Sequence, residues 1–374
     1  MAGLSQENPL KEAFNPRNIG ELATGLQALW SGFDRRGFET LVWEGWEALG
    51  FGQRNERITA ALDAFLPPNF TQAAELLIGN LGEELSDEGV ASLDGFILAP
   101  QCAFIVRRGR DHFDLSARAL YEMTKRFSAE GYLRELLEWD YTRALALLHT
   151  WTQDSNAHVR RLVSEGIRPR LPLAPRIRKF QVDPSPVLDL LECLKDDPAL
   201  YVRRSVANNI NDISKDHPDL VVQTLQRWKQ GASPERLWLI SHSARSLIKT
   251  GHRDLLKVMG FSENPKVSVK FSSVSPEILG IGSRAELRCV LVNEGSFPLR
   301  LAVDYVVHFI KSGGKIKGKL FKGVVIEIPG HGQKEIVKKH RFVNTSGRTH
   351  FPGPHHLEWQ VNGERHEGPV VILE

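Results

Sequence analysis

The chain has 374 residues, 41% hydrophobic and 25% charged, with 18 Phe and 8 Trp to bury. That composition excludes disorder and leaves room for two or three domains. No stretch reaches the ~18 uninterrupted apolar residues of a membrane span. The start, MAGLSQENPLKEAFN, has no apolar secretory core. Cys102, Cys193 and Cys289 are far apart and form no CxxC. A disulfide scaffold and a thiolate zinc cluster are therefore excluded, and a reducing cytoplasm is expected.

The formal net charge is +3. From Asn264 to the end there are 16 Lys+Arg against 10 Asp+Glu, leaving 32 against 35 before it. A basic C-terminal module on a slightly acidic body fits a polyanionic partner and equally a well-solvated basic domain.

Residues 1–260 read as helices throughout. NIGELATGLQALW, FETLVWEGWEALG and ERITAALDAFLP place apolar residues at i, i+3, i+4 and i+7, and each run stops at Gly, Pro or Asp. An internal repeat appears at an offset of 43 residues: HVRRLVSEGIRPR from His158 matches YVRRSVANNINDI from Tyr201. A weaker copy, HSARSLIKTGHRD, starts at His242. Paired helices at this period predict a HEAT-type solenoid.

Residues 264–374 change period. KVSVKFSSV, AELRCVLVNEG, PLRLAVDYVVHFIK, KGVVIEIPG, KEIVKKHRFV, HHLEWQVNG and GPVVILE alternate apolar and polar residues between turn signals. They predict a seven-strand antiparallel, immunoglobulin-like β-sandwich without the Cys–Trp–Cys core of antibody domains. The turn-rich GFSENPKV, near 260–265, is the expected boundary.

Three polar stripes follow from helical spacing: Arg161, Glu165, Arg168; Arg204, Asn208, Asp212; and Ser241, Arg245, Lys249. Stacked repeats would set them side by side as a cationic surface holding two carboxylates, which suits a phosphate backbone. Surface salt bridging at i, i+4 is the plainer alternative. Arg170 lies in the basic, proline-stiffened loop SEGIRPRLPLAPRIRK. Arg160 shares the HVRR repeat, and Trp151 is the aromatic best placed to stack on a base. In the sandwich, KSGGKIKGKLFKG predicts a hairpin with Lys315, Lys317 and Lys319 on one strand face. They either grip phosphates or guard an edge strand. The seven His of this region show no zinc-ligand spacing. GxxxxGK[ST], GxSxG and HExxH are absent, so neither a metal nor another cofactor is expected.

On these residues the chain resembles the bacterial HEAT-like-repeat DNA glycosylases of the AlkC/AlkD alkylpurine family, and within it the AlkC branch with a C-terminal immunoglobulin-like domain. The resemblance spans residues 10–260 through KEAFNPRNIGELATGL, GFDRRGFETLVWEGWEALGFGQRNERITAAL, TKRFSAE, HVRRLVSEGIRPRLP, DDPALYVRRSVANNINDISKDHPDLV and HSARSLIKTGHRD. It implies excision of N3-alkylated bases, chiefly 3-methyladenine, from double-stranded DNA by hydrolysis of the N-glycosidic bond. The family's carboxylates match Glu130, Glu165 and Asp212, and Arg161, Arg168, Arg204 and Arg245 would hold flanking phosphates. Two positions depart from it: Leu173 stands where SEGxRPRLPW commonly has Trp, and GYLRELLEWD follows Glu130. A narrower or shifted lesion range is the expectation. No particular lysine is placed for a Schiff base, which implies a monofunctional enzyme; a cytoplasmic monomer with the sandwich as a DNA clamp is the accompanying expectation. The alternative is a non-catalytic DNA-structure binder or protein scaffold.

Overall fold

The structure, a computed structural model, describes residues 9–86, 93–345 and 347–374. The chain forms two compact units, divided between Asp216 and His217. The sequence boundary at 260–265 marks instead where helices give way to strands.

The first unit contains α1 (Pro16–Leu29), α2 (Arg35–Trp43), α3 (Phe51–Phe65), α4 (Phe70–Gly79), α5 (Leu98–Arg108), α6 (Phe113–Thr124), α7 (Leu133–Trp139), α8 (Tyr141–Trp151), α9 (Ala157–Gly166), α10 (Arg178–Val182), α11 (Ser185–Leu194) and α12 (Leu200–Ile213). Local chemistry sets many of the starts. Asn15 caps α1 by accepting from the Arg17 and Asn18 amides, and Asn18 returns a bond to the Asn15 amide. Ile19, Leu22, Ala23 and Leu26 then bury one helical face.

The 43-residue repeat is a repeat of contacts. Val159, Leu162 and Val163 of α9 and Val202, Val206 and Ile210 of α12 are fully buried where the two helices pack. Asp154 Oδ1 accepts from the Asn156 amide at 2.8 Å, and Asp197 Oδ1 accepts from the Ala199 amide at 2.9 Å. Arg160 donates to the Asp154 and Ser155 carbonyls. One repeat later, Arg203 donates to the Asp197 and Pro198 carbonyls. Each arginine satisfies backbone acceptors in the turn before its own helix.

The second unit contains α13 (Pro218–Lys229), α14 (Pro234–Ser243), α15 (Arg245–Thr250) and α16 (Arg253–Val258), then β1 (Val267–Ser275), β2 (Ile278–Leu279), β3 (Arg284–Asn293), β4 (Leu299–Ile310), β5 (Ile316–Ile328), β6 (Gln333–Arg341), β7 (Gly353–Val361) and β8 (Glu364–Leu373). Two sheets, β1-β3-β6 and β2-β8-β7-β4-β5, enclose Leu287, Leu291, Phe309, Phe342 and Trp359. Pairing is antiparallel except for β2, a two-residue strand parallel to β8 that the sequence reading lacked. The lysine segment and KGVVIEI, read separately in the sequence, form the single strand β5.

The last helices belong with the sandwich because they bond to it. Gln360 donates to the Lys249 carbonyl at 2.8 Å, and Asn362 donates to the Ser262 carbonyl at 3.0 Å. Gly251 and Gly363 both have positive φ, and a Cβ on Gly251 would lie 2.5 Å from the Gly363 Cα. Only glycine permits that approach.

Candidate active site

Two carboxylates from successive repeats converge on one guanidinium. Glu165 is in the last turn of α9, and Asp212 is near the end of α12. Arg168 lies just past α9 and folds back. Its Nη1 donates to Glu165 Oε1 at 2.6 Å and its Nε to Asp212 Oδ2 at 2.9 Å. The second oxygens are also occupied: Ser205 donates to Glu165 Oε2 at 2.6 Å, and Lys215 donates to Asp212 Oδ1 at 2.9 Å. Ser205 Oγ lies 2.7 Å from Ser164 Oγ.

Glu130 follows in the segment between α6 and α7. Its Oε2 accepts from Arg161 and from Ser128, the latter at 2.7 Å. Arg161 also approaches Glu165 at 3.6 Å and lies over the Tyr201 ring, 5.2 Å from its centre. The two arginines thus link all three acids. Exposure falls from Glu130, whose side chain is 28% accessible, through Glu165 at 7% to Asp212 at 3%.

Burial opposes the charge of Glu165, but Arg161, Arg168 and the Ser205 hydroxyl outweigh it and hold its pKa below the usual glutamate value. Burial likewise opposes the charges of Arg161 and Arg168, and the neighbouring carboxylates outweigh it. Arg134 of α7 behaves differently. Burial and the adjacent Arg168 charge bring it down to about 10. It donates to the Arg168 carbonyl at 2.5 Å and to the Pro175 carbonyl, bracing both ends of the proline loop. The sequence reading did not single out Arg134, Ser205, Tyr201 or Ser128. Ser205 and Tyr201 carry the one available signal, since both lie in the repeated YVRRS segment. Chemically, the arrangement holds anions at graded depth beside a surface and can stabilise a cation that approaches them.

Several expected phosphate contacts are used inside the protein. Arg160 forms a two-point ion pair with Asp197, at 2.6 and 3.1 Å, besides its turn carbonyls. Arg161 and Arg168 are committed to the acids. Trp151 is a core residue, 8% exposed and packed on Tyr121, so its ring is no open stacking surface. Arg170 pairs with Asp216 at 2.6 Å near the surface. Arg204 is exposed and has no ion-pair partner among the described residues. Its stripe runs inward from there, through half-buried Asn208 to buried Asp212.

The remaining expected cations lie in the second unit. The third stripe is interrupted: Ser241 belongs to α14, and Arg245 and Lys249 to α15, with Ala244 between. Arg245 donates to the His242 carbonyl at 2.6 Å, while Lys249 is exposed. Lys315 sits in the turn before β5, and Lys317 and Lys319 are exposed on β5, which is the edge strand of its sheet. Among the described residues no His, Cys, Asp and Glu group of three or more could hold a metal ion. No described helix is long and apolar enough to cross a membrane.

Residues 268–374 match the family model described as the C-terminal Ig-like domain of the uncharacterised protein YhaZ. The chain is 32% identical to uncharacterized protein YhaZ of Bacillus subtilis (strain 168) over 356 residues, covering 95% of this chain and 96% of the other. Among solved structures it is similar to the alkylpurine DNA glycosylase AlkC of Pseudomonas fluorescens, bound to DNA containing an abasic site analog. That match has 35% identity and a TM-score of 0.88, over 98% of this chain and 99% of that one.

Proposed function

Because the chain belongs to the AlkC-type family with a C-terminal immunoglobulin-like domain, we propose that it is a DNA glycosylase acting on alkylated bases. The specific reaction is hydrolysis of the N-glycosidic bond of N3-alkylated bases, chiefly 3-methyladenine, in duplex DNA. The observation that carries this reading is the shared guanidinium of Arg168, which donates to both Glu165 and Asp212 and so holds them together.

A 3-methylated adenine is cationic while still attached to its sugar, so it leaves without strong acid catalysis. As the bond breaks, positive charge moves to the deoxyribose. Glu165 and Asp212 stabilise that charge and orient the attacking water, with Glu130 as a third acid nearby. Arg168 fixes their geometry in advance, so little reorganisation is needed at the moment of reaction. Arg204, exposed on the same stripe about two helical turns before Asp212, is placed to meet a phosphate. With no lysine assigned to attack the sugar, the product is an abasic site.

The test is mass-spectrometric identification of bases freed from methylated duplex. The unsubstituted chain should release 3-methyladenine. Asp212→Asn and Glu165→Gln should each lower release by about a hundredfold or more while still binding DNA. Binding without any release by the unsubstituted chain would establish the non-catalytic binder instead. Unchanged release in both variants would remove these acids from the mechanism.

A further inference from the structure

Glu165 and Asp212 occupy the same place in their helices. Each is the last residue but one, of α9 and of α12 respectively. A helix C-terminus carries partial negative charge from its unpaired carbonyls. Two such ends and two carboxylates therefore meet around Arg168. The protein answers with its own cations, one following each helix: Arg168 after α9 and Lys215 after α12.

These two cations are held differently. Arg168 is shared between Glu165 and Asp212, and its side chain is 10% accessible. Arg161, which reaches Glu130 and Glu165, is 16% accessible. Lys215 meets one carboxylate oxygen, Asp212 Oδ1, at 2.9 Å, and its side chain is 44% accessible. An accessible ion pair contributes little and opens readily, whereas a buried one is held in place. Lysine is also a compact ammonium on a flexible stem, able to turn out into water. Of the three cations that touch these acids, Lys215 is the one that can leave.

Its departure changes what Asp212 can do. With Lys215 in place, both oxygens of Asp212 are occupied by cations. Glu130, Glu165 and Asp212 are then outnumbered by Arg161, Arg168, Lys215 and the adjacent Arg134, so a further cation is repelled. With Lys215 turned out, Oδ1 is open while Arg168 still holds Oδ2.

We infer that Lys215 occupies Asp212 as a stand-in for a cationic substrate: it covers Oδ1 in the free chain and yields it to a positively charged nucleoside. A neutral nucleoside brings no charge to exchange and does not displace it. The inference rests on the glycosylase reading above and deepens it, because it names what makes that site select a cation. Lys215 acts through Asp212, as a specificity-determining residue and not a catalytic one. An exposed lysine can also serve only as a phosphate contact, and an i, i+3 pair can serve only to steady a helix end. Each of those roles makes a different prediction.

The test uses the full chain and two duplexes that differ at a single abasic position. One carries a pyrrolidine analogue of the sugar, protonated at neutral pH; the other carries a neutral tetrahydrofuran analogue. Their phosphates are the same, so the ratio of the two affinities isolates the charge at the sugar. Lys215→Met removes the ammonium and keeps most of the stem. It should raise the preference for the cationic analogue by about two- to fivefold, the span expected of an accessible ion pair. Lys215→Arg keeps the charge but holds a carboxylate with a planar fork, so its preference should equal or fall below that of the unsubstituted chain. An unchanged or lowered preference in Lys215→Met would overturn the exchange. Equal weakening of both duplexes would make Lys215 a phosphate contact, and a lower Tm at unchanged preference would make it a helix-end support. A preference in Lys215→Arg above that of the unsubstituted chain overturns the exchange as well. Failure of the unsubstituted chain to bind either duplex overturns both readings. Base release from methylated duplex by the unsubstituted chain, assayed separately, shows whether the glycosylase reading stands when the exchange fails.

Discussion

Glu165 and Asp212 are held to each other by what they share: the guanidinium of Arg168, 2.6 Å from one and 2.9 Å from the other. Two buried carboxylates so placed would repel without a cation between them. Arg168 is itself fixed, because Arg134 holds its carbonyl. The acids, the bridging arginine and the loop beyond it therefore form one mechanical unit.

Removing the bridge should be costly. Arg168→Met leaves Glu165 and Asp212 buried without their common partner, and the expected loss is about 3–5 kcal/mol in urea unfolding. Arg168→Lys retains a charge but cannot reach both carboxylates with a planar fork. It should lose less stability and a large part of base release. A loss below about 1 kcal/mol for Arg168→Met would show that the acids are solvated in solution.

Adjacent arginines of the HVRR and YVRR segments separate by role. Arg160 is paired with Asp197, whose side chain is 2% accessible. Arg160→Ala should cost about 3–5 kcal/mol without changing the salt dependence of DNA binding in the protein that remains folded. Arg204 is exposed, so Arg204→Ala should leave stability within about 0.5 kcal/mol. It should flatten the salt slope by about 0.9. Thermal unfolding and salt-dependent affinity, measured on both variants, decide the assignment. The reverse pattern would exchange the two roles.

These residues also show how far the sequence could be read. The offset joining Val159 to Val202 found the helices that meet, because buried apolar positions recur with the repeat. The family resemblance picked out Glu130, Glu165 and Asp212, and the fold gathers all three around Arg161 and Arg168. Direction was the hidden quantity. Spacing at i, i+4 says that Arg161 and Glu165 share a face, but not whether another segment covers that face with Glu130 and Tyr201. Trp151 closes a helix on the sequence, yet Tyr121 from α6 closes over it. Arg134 has no periodic partner at all, so its bonds to Arg168 and Pro175 could emerge only from the fold. In the sandwich, alternation put Lys317 and Lys319 on one face correctly. That the face belongs to the core follows only from their register with Phe309 and Val307.

Acid should weaken the protein in two windows. His340 is 5% exposed, and burial, then Arg348 and His350, bring its pKa from 6.5 to about 4. The unfolded chain takes up a proton near 6.5 while the folded one resists until about 4. The stabilising effect of the neutral ring is complete above 6.5 and is lost as pH falls toward 4, an order of about 3 kcal/mol. Glu165 has a folded pKa below 4.5, so its contribution is present above 4.5 and is lost only as pH falls further. Protection of β6 amides against hydrogen exchange, corrected for the intrinsic slowing of exchange in acid, should therefore fall between pH 6.5 and 4, and His340→Leu should flatten that window. Glu165→Gln should flatten only the lower one, read on amides of α9. An unchanged β6 profile in His340→Leu would assign the upper window to another group.

Leu173 tests the departure from the AlkC-type motif. It is 93% exposed and has φ of 61°, a left-handed conformation unusual for a branched side chain. Such a conformation costs about 1–2 kcal/mol relative to glycine, and an exposed leucine returns no burial to offset it. Leu173→Gly relieves the strain but adds freedom to the unfolded chain, so stability should change by less than about 1 kcal/mol. Function should change more. The loop is braced by Arg134 through the Pro175 carbonyl, so the side chain is presented from a fixed support, where an apolar group can press against DNA. Leu173→Gly should lower release of 3-methyladenine, and Leu173→Trp should alter the range of bases released. If both variants release the same bases at the same rates as the unsubstituted chain, Leu173 is only a strained loop residue and the lesion is read elsewhere.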